Sequence, residues 1–188
     1  MNIHQLSVNY LIEQDRILVQ ANTLAGEVLS TWLTRRLTAN LYPRLVQLAT
    51  DVELKNGQLS APDESARKMV MDFKKQNALL QGDFKTPFNQ TASIFPIGPE
   101  PLLATTVNFT ALGEGALRVE FLEQLPNHTE NRSFQVTLAA ELLHGFMHLF
   151  ESAVKSSGWG MIENPNPEST EEAFPGNLME QVPPTYLN

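Results

Sequence analysis

Alternation of apolar and polar residues opens the chain and predicts three short β-strands, because a half-buried strand has a period of two. The apolar positions of the first strand are Leu6, Val8, Tyr10 and Ile12. Gln14-Asp15 is a predicted turn, and Gly26, which can adopt positive φ, lies in a second one. The second and third strands are therefore predicted over residues 16–23 and 27–33.

The hydrophobic spacing becomes helical after Thr34, a residue type that favours the N-cap position. The apolar stripe of this helix is Leu37, Leu41, Leu45 and Leu48. Pro43 is expected to kink the helix or restart it one turn later. The helix is expected to end before Asn56-Gly57.

A second helix is predicted to begin at residues 60–63, with Pro62 in its first turn. Its apolar stripe is Ala66, Met69, Val70, Phe73 and Leu80. Residues 82–101 are rich in proline and glycine, and they are predicted to be a loop.

The opening pattern then returns. Alternation predicts a strand over 103–111, a glycine turn at 113–115, and further strands over 117–122 and 134–138. The last helix is marked by Leu142, Phe146 and Phe150, and it is expected to end near residues 156–158.

The two halves align with an offset that changes only in turns. Val8-Asn9-Tyr10 matches Val107-Asn108-Phe109, and the leucines of the first helix match the apolar stripe of the last one. The predicted fold class is α+β, with tandem βββα repeats forming one domain about a pseudo-twofold axis. Repeat one is placed at 4–55, the connecting helix and loop at 60–101, repeat two at 102–156, and an acidic flexible tail at 157–188.

The composition of the chain limits the classes of function that it can have. The chain has no cysteine and a formal net charge of −8, with five acids and no Lys or Arg after residue 156. Cysteine chemistry is therefore excluded. Neither a signal peptide nor an apolar stretch of membrane-spanning length is evident. We expect a cytoplasmic protein without a bound cofactor.

One cluster has residue types that bind metals. His144 and His148 are four positions apart and so share a helix face, with Glu141 one turn earlier. A zincin motif would need Glu at position 145, which is Gly145. The alternative is that these residues are simply the polar face of the last helix. No phosphate-binding loop or nucleophile elbow occurs, so an enzyme is not indicated.

Two resemblances add expectations. The chain resembles the N-terminus of a small uncharacterised bacterial family at residues 15–23, at Gly26-Glu27 and at residues 32–37. This resemblance implies no activity. The tandem arrangement is similar to the PUR and Whirly proteins, which implies binding of single-stranded nucleic acid. Those proteins usually have four strands per unit, whereas this sequence predicts three.

Single-strand binders present aromatic and basic side chains on an exposed sheet face. The strand aromatics here are predicted to lie in the core: Tyr10, Trp32, Phe109, Phe121 and Phe134. The basic candidates lie on two predicted helices: Arg35, Arg36 and Arg44, and Arg67, Lys68, Lys74 and Lys75. Their alternative interpretation is a solvated helix face.

We therefore expect a non-enzymatic binding or adaptor protein that acts through a protein partner or self-association. Single-stranded nucleic-acid binding is the first alternative. An unrecognised enzyme or metal-binding protein that uses His144 and His148 is the second.

Overall fold

The computed structural model describes residues 3–56, 94–126 and 131–161, with the single residues Ser65, Met69, Gln76 and Phe88. Within these residues the chain is an α+β structure with two sheets and two helices. Most of the predicted connecting segment 60–101, including Arg67, Lys68, Lys74 and Lys75, lies outside the described residues. The same holds for residues 162–188 of the predicted tail.

The first three predicted strands are present as β1 (Ile3–Leu11), β2 (Arg16–Thr23) and β3 (Val28–Thr34). They form an antiparallel meander in which Val8 pairs with Val19, and Val19 pairs with Thr31. The β-branched and apolar residues of one face point into the core, as the period of two predicts.

Helix α1 spans Arg35–Asn56 and follows β3 directly. The hydroxyl of Thr34 accepts a hydrogen bond from the backbone N–H of Leu37 at 3.3 Å, which confirms the predicted N-cap. Leu41 and Leu45 are buried at the spacing expected of one helix face.

The predicted strand over 103–111 is wrong as a single element. It is divided into β4 (Leu102–Leu103), which pairs in parallel with β3, and β5 (Thr106–Ala111), which belongs to the second sheet. The change occurs over two residues. The N–H of Ala104 donates to the carbonyl of Trp32, and the N–H of Thr105 donates to the carbonyl of Leu122.

The second sheet has the order β5-β6-β7, with β6 at Leu117–Glu123 and β7 at Arg132–Leu138. The glycine turn at Gly113–Gly115 joins β5 to β6, as predicted. Helix α2 (Ala140–Ser156) follows β7. This sheet has one buried face and one exposed face, which is typical of an antiparallel sheet that covers a core on one side.

One hydrophobic cluster contains residues of both sheets and both helices. Each helix contacts the sheet of the other half: α2 packs against β1, and α1 packs against β5. The helices meet where the rings of Tyr42 and Phe150 stack with centroids 6.2 Å apart. The cluster also includes Trp159, which is 7% exposed. Among the described residues, the core cluster therefore continues past residue 156.

Trp32 does not lie where the sequence placed it. Its register neighbours are Leu18 on β2 and Leu103 on β4, so it occupies the face of the first sheet opposite Val19 and Leu33. Trp32 is half-buried and does not belong to the hydrophobic core cluster. By contrast, Phe121 and Phe134 are buried with ring centroids 5.1 Å apart, as predicted.

Candidate functional site

Exposed apolar side chains gather at one end of the first sheet. The surface formed by Leu24, Ile94 and Phe95 is called the Leu24 patch. Leu24 is 71% exposed, Ile94 is 49% exposed and Phe95 is 41% exposed, although all three are large hydrophobic residues. Exposed apolar side chains at one end of a sheet can provide the apolar area of a contact surface.

Backbone hydrogen bonds hold the two segments of the patch together. The turn that contains Leu24 is closed by Gly26 N–H, which donates to the carbonyl of Thr23 at 3.0 Å. Beyond that turn, Glu27 forms a parallel bridge with Ile94, and Val28 N–H donates to the Ile94 carbonyl at 2.9 Å. The turn that contains Leu24 and the segment at Ile94 therefore flank Glu27 at the same end of the sheet.

Phe95 is fixed in the same way. Its carbonyl accepts a hydrogen bond from Gly98 N–H at 3.0 Å, which closes the turn over 95–98. Gly98 has φ of 92°, a conformation that glycine adopts without strain. The patch thus lies on ordered backbone rather than on a free loop.

An acidic group borders the Leu24 patch. Glu27 is half-buried, and one of its carboxylate oxygens accepts a hydrogen bond from the Thr23 hydroxyl at 3.0 Å. This contact orients the carboxylate while leaving further lone pairs open to a donor. The surface therefore combines apolar area with one oriented negative charge.

A second polar cluster lies at the opposite end of the sheet, in the β1–β2 turn. Asp15 Oδ1 accepts hydrogen bonds from the Tyr10 hydroxyl at 2.9 Å and from the Trp159 indole N–H at 2.8 Å. Arg35 donates to the Trp159 carbonyl at 3.4 Å. These four residues are called the Asp15 cluster, and they attach the segment after α2 to the first hairpin.

The cluster shifts the acidity of its members. Hydrogen bonds from Trp159 and then Tyr10, together with the charge of Arg35, hold the pKa of Asp15 below its ordinary value. The hydrogen bond to the Asp15 carboxylate is the main cause of a raised pKa at Tyr10. Both shifts favour the arrangement in which Asp15 is charged and Tyr10 is neutral.

A third network joins the two sheets. Glu123 is 7% exposed and forms an ion pair with Arg132, and its other oxygen accepts the N–H of Leu103 at 2.6 Å. Arg132 also donates to the carbonyls of Ile97 and Glu100. The Glu123 hydrogen bond raises the pKa of Arg132. We assign this network to the fold, since its contacts connect β4, β6 and β7.

The predicted basic residues of α1 do not converge. Arg35, Arg36 and Arg44 are all exposed. At about 100° per residue, Arg35 and Arg44, which are nine positions apart, lie on opposite sides of the helix. Arg35 belongs to the Asp15 cluster and therefore has a structural contact.

The predicted metal-binding residues lie on α2. Glu141 is exposed, and His144 and His148 are half-buried. Across the described ranges, no group of three or more His, Asp or Glu side chains is arranged to hold a metal ion. The side chains of Glu141, His144 and His148 are thus not arranged as a ready metal site, and metal binding by them stays a prediction.

Sequence reasoning missed the Leu24 patch. The available signal was a large apolar residue inside a predicted turn, where polar and small residues are usual. Ile94 and Phe95 lay in the predicted proline-rich loop, and the pairing of Ile94 with Glu27 brings this segment to the same end of the sheet as Leu24.

Comparison with known proteins gave no match to any family model, curated protein or solved structure. The resemblance of the N-terminal segment to an uncharacterised bacterial family stays a prediction. Of the helices in the described part of the chain, none combines the length and apolar character needed to cross a membrane.

Proposed function

We propose that this chain is a non-enzymatic binding protein that contacts another protein through the Leu24 patch. The observation that carries the proposal is the exposure of Leu24, Ile94 and Phe95 on backbone that is already ordered. A preformed apolar surface loses little conformational entropy when a partner covers it.

The chemistry of the surface indicates the kind of partner. Phe95 and Leu24 supply the aromatic and aliphatic area that forms the buried centre of protein interfaces. Glu27, at the border, would accept a hydrogen bond from a cationic side chain. The matching partner is a segment with apolar residues and a neighbouring Lys or Arg.

The internal duplication is part of the same proposal. Ile17 pairs with Leu33, and the residues aligned with them, Leu117 and Leu138, also pair. The reciprocal packing of α1 on β5 and α2 on β1 is what a pseudo-twofold arrangement requires. The first hairpins differ, since Val8 pairs with Val19 whereas Val107 pairs with Phe121.

Site-specific photo-crosslinking tests the protein-binding proposal. A photoreactive phenylalanine is placed at Leu24 or Phe95 in the full chain, expressed in its native cells, and adducts are identified by mass spectrometry. The matched control position is Ile12, which is 74% exposed but lies in the turn at the other end of the sheet. We expect one shared adduct at Leu24 and Phe95 that is missing at Ile12.

The adduct should also respond to charge. A Glu27→Lys substitution in the crosslinking protein should reduce its yield several-fold, because it reverses the charge beside the patch. Equal yields from all three positions, or no adduct at Leu24 and Phe95, would contradict the proposal.

A second candidate function is favoured by the position of Trp32. Its ring lies on the second face of the first sheet, beside Leu18 and Leu103, and Arg16 lies in the next row. Single-stranded nucleic acid binds sheet faces on which its bases stack on an aromatic ring and its phosphates contact a cation. This arrangement supports the PUR- or Whirly-type hypothesis, as does the duplication.

Fluorescence anisotropy with a labelled oligothymidylate at low salt separates the two candidates. If Trp32 stacks on a base, Trp32→Ala should weaken binding at least fivefold, whereas Phe95→Asp should leave it unchanged. Neutralising Arg35 and Arg36 tests the helix residues in the same assay. No binding by the wild-type chain at low salt would remove this candidate.

A further inference from the structure

Three arginines lie at the end of the first sheet where β3 passes into α1. Arg16 on β2 pairs with the last residue of β3, and Arg35 and Arg36 begin α1 directly after that strand. These three arginines are called the Arg36 surface. Within the part of the chain that the structure describes, the side chains of Arg16 and Arg36 form no hydrogen bond or ion pair, whereas Arg132 and Lys155 are both paired with a glutamate.

The electrostatic balance of the Arg36 surface favours an anion. Two acids border it: Glu13 is exposed, whereas Asp15 is engaged by the Trp159 indole and the Tyr10 hydroxyl. The first turn of α1 contains no acidic residue, so the positive end of the helix dipole adds to the three arginine charges.

The acidic end of the chain starts beside this surface. Arg35 donates to the Trp159 carbonyl at 3.4 Å, and Met161 packs against the core cluster. The sequence of residues 162–188 has five acids and neither Lys nor Arg. Glu163 is four residues after Trp159, so the Cα atoms of these two residues lie within about 14 Å of each other even if the chain between them is fully extended.

We propose that residues 162–172 dock on the Arg36 surface of the same chain through their four carboxylates. These carboxylates belong to Glu163, Glu168, Glu171 and Glu172. A short tether gives the acidic segment an effective concentration on the order of millimolar at the arginines, so contacts that are weak between separate molecules are populated within one chain.

The docking has two physical consequences. Each exposed ion pair contributes little alone, so the contact depends on several charges and weakens as salt screens them. The docked carboxylates also compete with any other anion, including a nucleic-acid phosphate, for Arg35 and Arg36. The proposal is independent of the Leu24 patch, which lies at the other end of the first sheet.

Paramagnetic relaxation enhancement in the full chain tests the docking. Because the sequence has no cysteine, Ser169→Cys gives a single attachment point for a nitroxide label. At low salt, the label should broaden the backbone amide signals of Asp15 and Arg35, and high salt should remove most of the broadening. Neutralising Arg16 and Arg36 together, as Arg16→Gln with Arg36→Gln, should reduce the broadening at low salt by roughly threefold or more.

Arg118→Gln is the matched control, since it removes an exposed arginine of the second sheet and should leave the broadening unchanged. Melting temperatures show whether each variant is folded, and the salt dependence of the wild-type chain needs no substitution in the domain. A segment that is tethered but not docked would broaden the signals equally at both salt concentrations and in both arginine variants, which would overturn the proposal. Equal broadening of an unlabelled chain by an added labelled chain would also overturn it, because the contact would then be with a second copy.

Discussion

Replacing Trp159 by alanine should destabilise the whole domain, although the residue lies beyond the end of the last helix. The side chain is 7% exposed, its indole N–H donates to Asp15 at 2.8 Å, and its ring meets Tyr10 edge-on at 5.5 Å. Truncation of a large buried aromatic typically costs about 3–5 kcal/mol of unfolding free energy. That is a large part of the roughly 5–15 kcal/mol available to a domain.

Urea unfolding followed by far-ultraviolet circular dichroism measures this loss without relying on tryptophan emission. Trp32→Ala is the matched control, because Trp32 is half-buried and does not belong to the core cluster. Its loss should be less than half that of Trp159→Ala. A loss below about 1 kcal/mol for Trp159→Ala, or equal losses for both variants, would refute the assignment of Trp159 to the core.

Three further predictions concern single side chains. Asp15→Asn should lower stability at neutral pH, because the charged form of Asp15 is the stabilising one. The difference in stability between variant and wild type should vanish as pH falls through the depressed pKa of Asp15. A difference that persists in acid would contradict this. Arg132→Met should cost about 1–3 kcal/mol in thermal unfolding, since its ion pair with Glu123 and its hydrogen bonds to two backbone carbonyls are lost. Exposed Arg118→Met should cost less than about 0.5 kcal/mol. Thr38→Val should raise stability by about 1 kcal/mol, because the buried Thr38 hydroxyl has no hydrogen-bond partner among the described residues. A loss of stability on substitution would show that the hydroxyl has a partner.

Much of the secondary structure was predictable because its periods are local properties of the chain. The strands β1, β2, β6 and β7 and both helices follow from spacing, and Thr34 marks the start of α1. The division of the strand predicted over 103–111 was not predictable. Alternation is unchanged through this segment, and it does not show which neighbour each backbone N–H will bond.

The face of Trp32 was ambiguous for a related reason. Period two separates Val28, Ser30 and Trp32 from Leu29, Thr31 and Leu33, and both sets contain apolar residues. The size of the aromatic ring favoured the wrong set, since Leu29 and Leu33 belong to the core cluster and Trp32 does not.

The Asp15 cluster has no local signal at all. Its hydrogen bond between Asp15 and Trp159 joins residues 144 positions apart. The left-handed conformation of Asp15, with φ of 47°, fits the predicted turn at Gln14-Asp15. The Leu24 patch likewise depends on a bridge between Glu27 and Ile94, which the sequence assigned to the start of a strand and to a loop.

The most direct test of the proposed function is the affinity for the protein captured at the Leu24 patch. Isothermal titration should compare the wild-type chain with Leu24→Asp and with Ile12→Asp, which places the same charge on an equally exposed apolar residue at the other end of the sheet. We predict at least a tenfold weaker affinity for Leu24→Asp and an unchanged affinity for Ile12→Asp. Equal affinities for all three proteins would contradict the account.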